Sequence, residues 1–598
     1  MTVKTRIWRP ESGPSGRSCQ KLLKSQALEP EKAGEIPEDA AIDVVGKSSA
    51  GAPGNTGTSG GIRVPDTFDF VVVGGGSGGC AVAGRLSEDP RTSVALLEAG
   101  GAGDNWVVTT PGALALMVPS KLNNWAFDTV PQASLNGRVG YQPRGKGLGG
   151  SSAINAMVYI RGHRSDYDQW ASLGNDGWSF ADVLPYFKRS EDNADFGGDY
   201  HGKGGPLPVN KLRTDNPVQQ TFLQAAREAQ FRIREDFNAE DHEGLGLYQV
   251  TQKNGERWSA ARAYIHPHLA TRANLRVETT AQATRILFEG KRAVGVEYRQ
   301  GTETRQIRAR REVIMASGAF QTPQLLMLSG IGDHAALAKH GIATTHHLPG
   351  VGQNLQDHPD FIFAYMSDSP YFTGMSFSGI VHQLRAIMQY RRERRGPMTS
   401  NFAECGGFLK TRPDLDVPDI QLHFGMAIVD DHGRKRRWGR GFSCHVCLLR
   451  PKSRGNVALH SADPMAAPLI DPNFLGEVDD LESMVAGYKA TRRLMETPAL
   501  RALEKKDLFT ESVRTDDDIR ALLRARVDTV YHPVGTCKMG VGDPLAVVDP
   551  KLRVYGLEGL RIVDASVMPT LIGGNTNAPT IMIGEKAADM IKAEMRVN

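Results

Sequence analysis

At 598 residues with a formal charge of +4, the chain is longer than one hydrophobic core usually serves and almost balanced in charge. This predicts two domains or one large elaborated unit and excludes a dedicated nucleic-acid binder. No apolar run is long enough to cross a bilayer, and six scattered cysteines (Cys19, Cys80, Cys405, Cys444, Cys447, Cys537) are too sparse for a disulfide framework, which points to a reducing compartment.

Residues 1–66 read as an atypical, disordered extension. The start is basic (Lys4, Arg6, Arg9, Arg17, Lys21, Lys24), 48–61 is rich in Gly, Ser, Thr and Ala, and the apolar segment of a secretory signal is missing. The next stretch organises the chain. An apolar run, Phe70-Val71-Val72-Val73, enters Gly74-x-Gly76-x-x-Gly79, then a small-residue helix, then Val94-Ala95-Leu96-Leu97 ending on Glu98, 19 positions after the last glycine. That is the pattern of a βαβ dinucleotide-binding unit. Gly74 serves the tight turn, Gly76 lets backbone approach a pyrophosphate, and Gly79 lets the helix pack close on the strand. Ser77 begins the helix whose N-terminus meets the phosphates, and Glu98 would accept hydrogen bonds from a ribose.

A second glycine-rich loop, Gly145-Lys146-Gly147-Leu148-Gly149-Gly150-Ser151-Ser152, leads to Asn155 and Val158. It suits backbone passing against a flat, phosphate-linked ligand, and two such loops exceed what NAD usually needs. Helices are predicted over 180–190 and 216–230. Three β-rich runs, 275–288, 293–298 and 305–316, lead into Ser317-Gly318 and a helix that returns the chain to the parallel sheet. From 359 to about 528 the pattern changes to strands such as 361–366, 420–424 and 443–449, with a helix over 485–496. That suits an antiparallel sheet in an α+β domain. Cys444-His445-Val446-Cys447 falls on one of these strands, where positions three apart face opposite sides, so no metal site is expected there. The chain closes with Tyr531-His532-Pro533, a short strand 560–563 ending on Asp564 and Ala565, Gly573-Gly574-Asn575-Thr576-Asn577, and a helix over 581–595.

Together these segments resemble the glucose-methanol-choline (GMC) family of oxidoreductases, over about 68–591. Gly145 to Asp168 is similar to the family's first signature and Gly318 to Gly332 to its second. The nearest branch is that of bacterial FAD-dependent aliphatic and polyethylene-glycol alcohol dehydrogenases, with choline dehydrogenase next. The resemblance implies an α/β FAD-binding Rossmann-like domain, discontinuous over 67–175, 241–358 and 529–598. An α+β substrate-binding domain on an antiparallel sheet would occupy 176–240 and 359–528. FAD would lie with its pyrophosphate over Gly74, Gly76, Ser77 and Gly79, its ribose on Glu98, its adenine near Ala283, and its isoalloxazine near Gly150, Ser151, Asn155 and Val158. Asp564, Ala565 and Asn575 would touch the cofactor as well. The position where some relatives carry a flavin-linking histidine is Ile154, so FAD is expected to be non-covalent.

The implied reaction is oxidation of a primary alcohol to an aldehyde by hydride transfer to flavin N5, with electrons passed to a quinone or other acceptor. His532 would be the base and Asn577 the second catalytic residue, holding the substrate oxygen. His358, His445 and Asp357 read as structural or loop residues. Choline dehydrogenase, an oxidase using O₂, and a flavin-containing lyase of the same fold remain alternatives. Two basic runs, 391–395 and 434–438, read either as solvated surface or, with the apolar residues of 380–390, as a peripheral contact with the inner membrane. The expected location is otherwise cytoplasmic.

Overall fold

The computed structural model describes residues 66–375 and 377–597, with the side chains of 375–382 and 597 left aside. The N-terminal extension and Cys19 lie outside the described residues. The β-branched run of the fingerprint becomes strand Asp66–Val73, whose last four residues are fully buried. It pairs in parallel with Val94–Leu97 on one side (Val73 opposite Leu97) and with Glu303–Met315 on the other (Val73 opposite Met315). Leu275–Glu278 extends the sheet in parallel beyond Val94–Leu97, and Leu560–Ile562 lies in parallel beside Glu303–Met315. The run predicted over 275–288 is two strands, because Thr280 adopts a left-handed turn (φ 53°). The chain leaves the parallel slot there and forms an antiparallel set, Ala281–Glu289, Arg292–Gln300 and Glu303–Met315.

Helix Ser77–Leu86 crosses from the first strand to the second, and its glycines set its distance from the sheet. A Cβ on Gly79 would lie 1.9 Å from the Gly74 carbonyl oxygen, so only glycine permits this approach. The last helix, Asn577–Val597, packs against this one. Glu585, buried on it, receives Arg85, Arg189 and the Tyr264 hydroxyl (2.6 Å), so every charge it brings inside is matched.

The second sheet is antiparallel, in the order Ala403–Leu409, Ile420–Gly425, Gly439–Leu448, Pro359–Ser367. Its strands alternate by residue. Ile420, Leu422 and Phe424, with Cys444, Val446 and Leu448 on the next strand, enter an apolar cluster with Phe222, Met484 and Tyr488 from helices Val218–Glu228 and Val478–Met495. Gln421, His423 and His445 point to the other face. The GMC architecture expected from the resemblance is therefore present: a dinucleotide-type α/β sheet and a sheet-rich substrate part.

Candidate active site

The two glycine loops close on each other. The Gly149 amide donates to the Gly75 carbonyl (2.7 Å), and a Cβ on Gly150 would sit 2.7 Å from the Gly76 Cα. Glu98 fastens them: its Oε2 accepts from the Gly75 amide (3.0 Å) and its Oε1 from the Gly100 and Gly147 amides (2.8 and 2.9 Å). Burial pushes its carboxyl upward in pKa while these amides pull it back. Asp564 does the same at the strand end. It accepts from the Gly318 amide (2.9 Å) and Thr322 hydroxyl (2.6 Å) on one oxygen, and from the Ser566 amide (2.8 Å) and hydroxyl (2.5 Å) on the other. Backbone conformation at the sheet end is thus held by two buried carboxylates.

A cavity of about 810 Å³ runs from this region to the second sheet. Gly74, Gly76, Ser77, Glu98, Gly150, Ser151, Asn155, Val158, Ala283, Asp564, Ala565, Asn575, Asn577 and His532 all line it. Gly79 lies beneath, in the helix–strand contact. The helix N-terminus and glycine backbone at one end, the long slot and the lone side chains at the other suit an extended dinucleotide with a planar ring. Ile154 lines the slot as well and carries no nucleophile.

Near the second sheet, His532 is buried and its amide donates to Asp357 Oδ1 (2.8 Å). Its Nδ1 lies 3.0 Å from Nδ1 of His358, and its Nε2 lies 3.2 Å from Nδ2 of Asn575. The direction of each bond follows from the acceptors. Nε2 of His358 faces two backbone carbonyls, Leu449 (3.2 Å) and Ile572 (3.1 Å), so it carries the proton. Burial lowers the His358 pKa to about 3, leaving the ring neutral and its Nδ1 an acceptor. His532 therefore donates from Nδ1 and keeps a bare lone pair on Nε2. Burial, then the neighbouring His358, His423 and Arg144, hold the His532 pKa well below that of a free imidazole. Asn575 is oriented from behind, since its Oδ1 accepts from Gln421 Nε2 (3.0 Å), which turns its amide NH₂ toward His532.

The two asparagines stand differently toward His532. Asn577, expected beside the base, accepts through Oδ1 from the Ser77 hydroxyl (2.7 Å) and opens the last helix at the glycine fingerprint. Asn575, expected on the cofactor, is the one within hydrogen-bond distance of His532. The cause is backbone geometry: Asn577 is the first residue of the helix, whereas Asn575 is still in the preceding turn and reaches back across the cavity. Two histidines read as structural from the sequence have defined partners here. His358 is the direct partner of His532, and His445 lines the cavity with its Nδ1 2.6 Å from Asp360. Asp357 holds the segment together, accepting from the His358 and His532 amides and the Thr529 hydroxyl.

Sequence reasoning passed over Arg257 and Arg144, and it read the basic run 434–438 as surface or membrane contact without placing it on the cavity. Arg257 is buried under the second glycine loop and donates to the carbonyls of Val108, Ser152 and Asn155 and to Asn155 Oδ1 (2.8 Å). No carboxylate pairs with it among the described residues, and burial brings its pKa down to about 9. Arg144, Lys435, Arg436 and Arg437 line the cavity, and Arg437 is paired with Asp430. Among the described residues the only carboxylates lining it are Glu98 and Asp564, both saturated by the bonds given above, at the end formed by the glycine loops.

Comparison with known proteins places this geometry. Family models of the GMC oxidoreductase N- and C-terminal domains match residues 68–360 and 451–584, and the chain belongs to the GMC oxidoreductase family of FAD-dependent enzymes. It is 48% identical over 528 residues, 88% of this chain and 95% of the relative, to an alcohol dehydrogenase [acceptor] of Pseudomonas putida. It is 43% identical to the mitochondrial choline dehydrogenase of Homo sapiens over 90% of this chain and 91% of that one. Among solved structures it is similar to a point mutant of the formate oxidase of Aspergillus oryzae RIB40 (TM-score 0.83, 29% identity, 89% and 99% of the two chains). A pyridoxine 4-oxidase aligns with TM-score 0.79 and 30% identity over 88% and 99%.

Proposed function

We propose that this chain oxidises primary alcohols to aldehydes and delivers the electrons to a quinone-type acceptor. The observation that carries the reading is the series of two backbone carbonyls, His358, His532 and Asn575, which leaves a neutral imidazole with its lone pair facing an amide donor inside the cavity. FAD, when bound, supplies the hydride-accepting ring. The chain's own part is proton handling and orientation. His532 Nε2 takes the hydroxyl proton, which makes the carbinol carbon a willing hydride donor. Asn575 Nδ2 donates to the substrate oxygen and fixes its position as charge grows there. His358 accepts from His532 Nδ1 throughout, so the imidazolium formed is held in place. Gly74, Gly76, Ser77, Gly150, Ser151, Asn155, Val158, Ala283, Asp564, Ala565 and Asn577 would hold the cofactor without a covalent bond. The discontinuous segments 67–175, 241–358 and 529–598 would form its domain, and 176–240 with 359–528 the substrate domain.

Choline is the second reading, and the charge pattern speaks against it. Arg144, Lys435 and Arg436 line the cavity and, among the described residues, no unsaturated carboxylate does; the aromatic rings of Trp125, Phe320, Phe402 and Tyr531 are groups there that favour an ammonium. The experiment is an anaerobic titration of holoprotein with linear, aromatic and quaternary-ammonium alcohols, read by flavin bleaching. Linear alcohols should bleach and choline should not. Failure of every alcohol to bleach would point to the lyase alternative, and peroxide formation in air to an oxidase.

The acceptor reading draws on the mouth of the cavity. Helix Phe377–Glu393 exposes Leu384 (58%) and Met388 (62%) beside Arg385, Arg391 and Arg392, and Trp438 and Leu116 are exposed close by on the cavity rim. Apolar side chains ringed by arginines suit an anionic bilayer surface, from which a quinone could enter. No helix among the described residues is long and apolar enough to cross a membrane. Co-sedimentation with anionic but not zwitterionic vesicles tests the contact.

A further inference from the structure

His423 sits in the middle of strand Ile420–Gly425, opposite His445 on the next strand and Gly406 on the other side. The strand's alternation turns Leu422 and Phe424 into the apolar layer and His423 to the cavity, which it lines together with His532 and Asn575. The residue is 5% exposed, and among the described residues neither ring nitrogen has a partner in hydrogen-bond geometry, Asn575 being the polar side chain that bears on the ring. The neighbouring rings do not satisfy it: His445 is perpendicular to it with centroids 6.4 Å apart, and Tyr248 lies 5.7 Å away with its hydroxyl committed to the Leu422 carbonyl. A buried imidazole with one donor and one acceptor idle is costly, and such groups in native proteins usually mark a ligand or an ordered water.

The charge state narrows what the ligand can be. Burial first, then His445 and His358, lower the His423 pKa to about 3, with Asn575 acting against them, so the ring is neutral at physiological pH. A neutral imidazole gives no counter-charge to an ammonium or a carboxylate. It suits an uncharged oxygen, best a hydroxyl, which can donate or accept to match either tautomer. Its place beside Asn575 and His532 means that this oxygen belongs to the molecule whose carbinol is being oxidised.

We propose that His423 is a specificity-determining residue that binds a second, uncharged hydroxyl of the substrate, so that the preferred alcohols are short diols or polyols rather than simple alkanols. The inference rests on the alcohol-oxidising reading above. It is tested by the ratio of kcat/KM for 1,2-, 1,3- and 1,4-butanediol to that for 1-butanol. At least one diol should be favoured tenfold or more, equivalent to about 1.4 kcal/mol. In His423→Phe, which keeps a planar ring without nitrogens, the ratio should fall toward one. In His423→Asn, which keeps a donor and an acceptor, part of the preference should return. No diol preference in the wild type, or a preference that survives His423→Phe, would overturn the assignment. Loss of flavin bleaching with every alcohol and every diol would instead overturn the parent reading, and this one with it.

Discussion

Replacing His358 by Phe tests the proton chain at its least obvious member. The variant keeps the volume of a buried ring but removes the acceptor that lies 3.0 Å from His532 Nδ1. The reactive tautomer, with its proton on Nδ1, would then carry a buried donor without a partner. Such a group costs about 1–3 kcal/mol. The other tautomer, with its proton on Nε2, avoids that penalty but has no lone pair to offer the substrate. Since each 1.4 kcal/mol is tenfold, the reactive fraction and the limiting rate of anaerobic flavin reduction should fall roughly 10- to 100-fold. Flavin content and its absorbance should be retained, because His358 does not line the cavity. His358→Gln, which restores an amide oxygen as acceptor, should recover part of the rate. Stopped-flow absorbance at saturating alcohol gives the limiting rate directly. An unchanged rate in His358→Phe, with full flavin, would refute the tautomer argument.

The remaining predictions are simpler. His532→Ala should stay yellow yet reduce about 10²–10⁴-fold more slowly, measured by the same stopped-flow assay. Asn575→Ala should slow reduction by at least tenfold at normal flavin content. Asn577→Ala, which loses the Ser77 bond, should instead weaken FAD retention on gel filtration; the reverse outcome would restore Asn577 beside the base. Heat or acid denaturation followed by precipitation should release the flavin to the supernatant, as a cofactor with no covalent link requires.

Stability should fall in mild acid. His358 and His423, with folded pKa values near 3, and His532, also lowered, stay neutral in the native state. Their unfolded forms take up protons below about pH 6.5, so the stability they contribute is complete above that pH and lost as pH falls through it. Asp357 has the opposite sign: its folded pKa is raised to about 6, so between pH 6 and 4 the native state gains its proton first. For these four groups alone, three against one gives at most about 2.7 kcal/mol per pH unit in that window; the raised carboxyls of Glu98, Asp360, Glu404 and Asp564 act against it and the lowered His163 and His242 add to it. Urea midpoints at pH 7.5, 6 and 5 should decline, and a flat series would show that other groups cancel the effect.

Much of the molecule was legible from local pattern. The glycine fingerprint, the apolar run before it and Glu98 after it specify a strand, a turn and a helix through steric rules that act within a few residues. Strand Pro359–Ser367, a short continuous apolar β-rich run, and helix Phe180–Ser190, whose buried Phe180, Val183 and Phe187 recur at helical spacing, are legible in the same way. Gly74, Gly76 and Gly150, singled out from the two glycine-rich loops, line the cavity, because glycine marks in the sequence where backbone packs too close for a side chain. Polar residues at alternate positions of 420–425 and 443–448 were a signal that could have pointed to His423 and His445.

What local pattern could not decide is which side chains meet across the cavity. Asn575 and Asn577 are chemically identical and two positions apart, and only the point where the last helix begins separates the one that faces His532 from the one that binds Ser77. The partner of His532 lies 174 positions away in the chain, at His358, and the carbonyls that orient it belong to Leu449 and Ile572. Hydrogen bonds of that kind depend on how two sheets are brought face to face, which is settled by packing over the whole molecule and not by any single stretch of it.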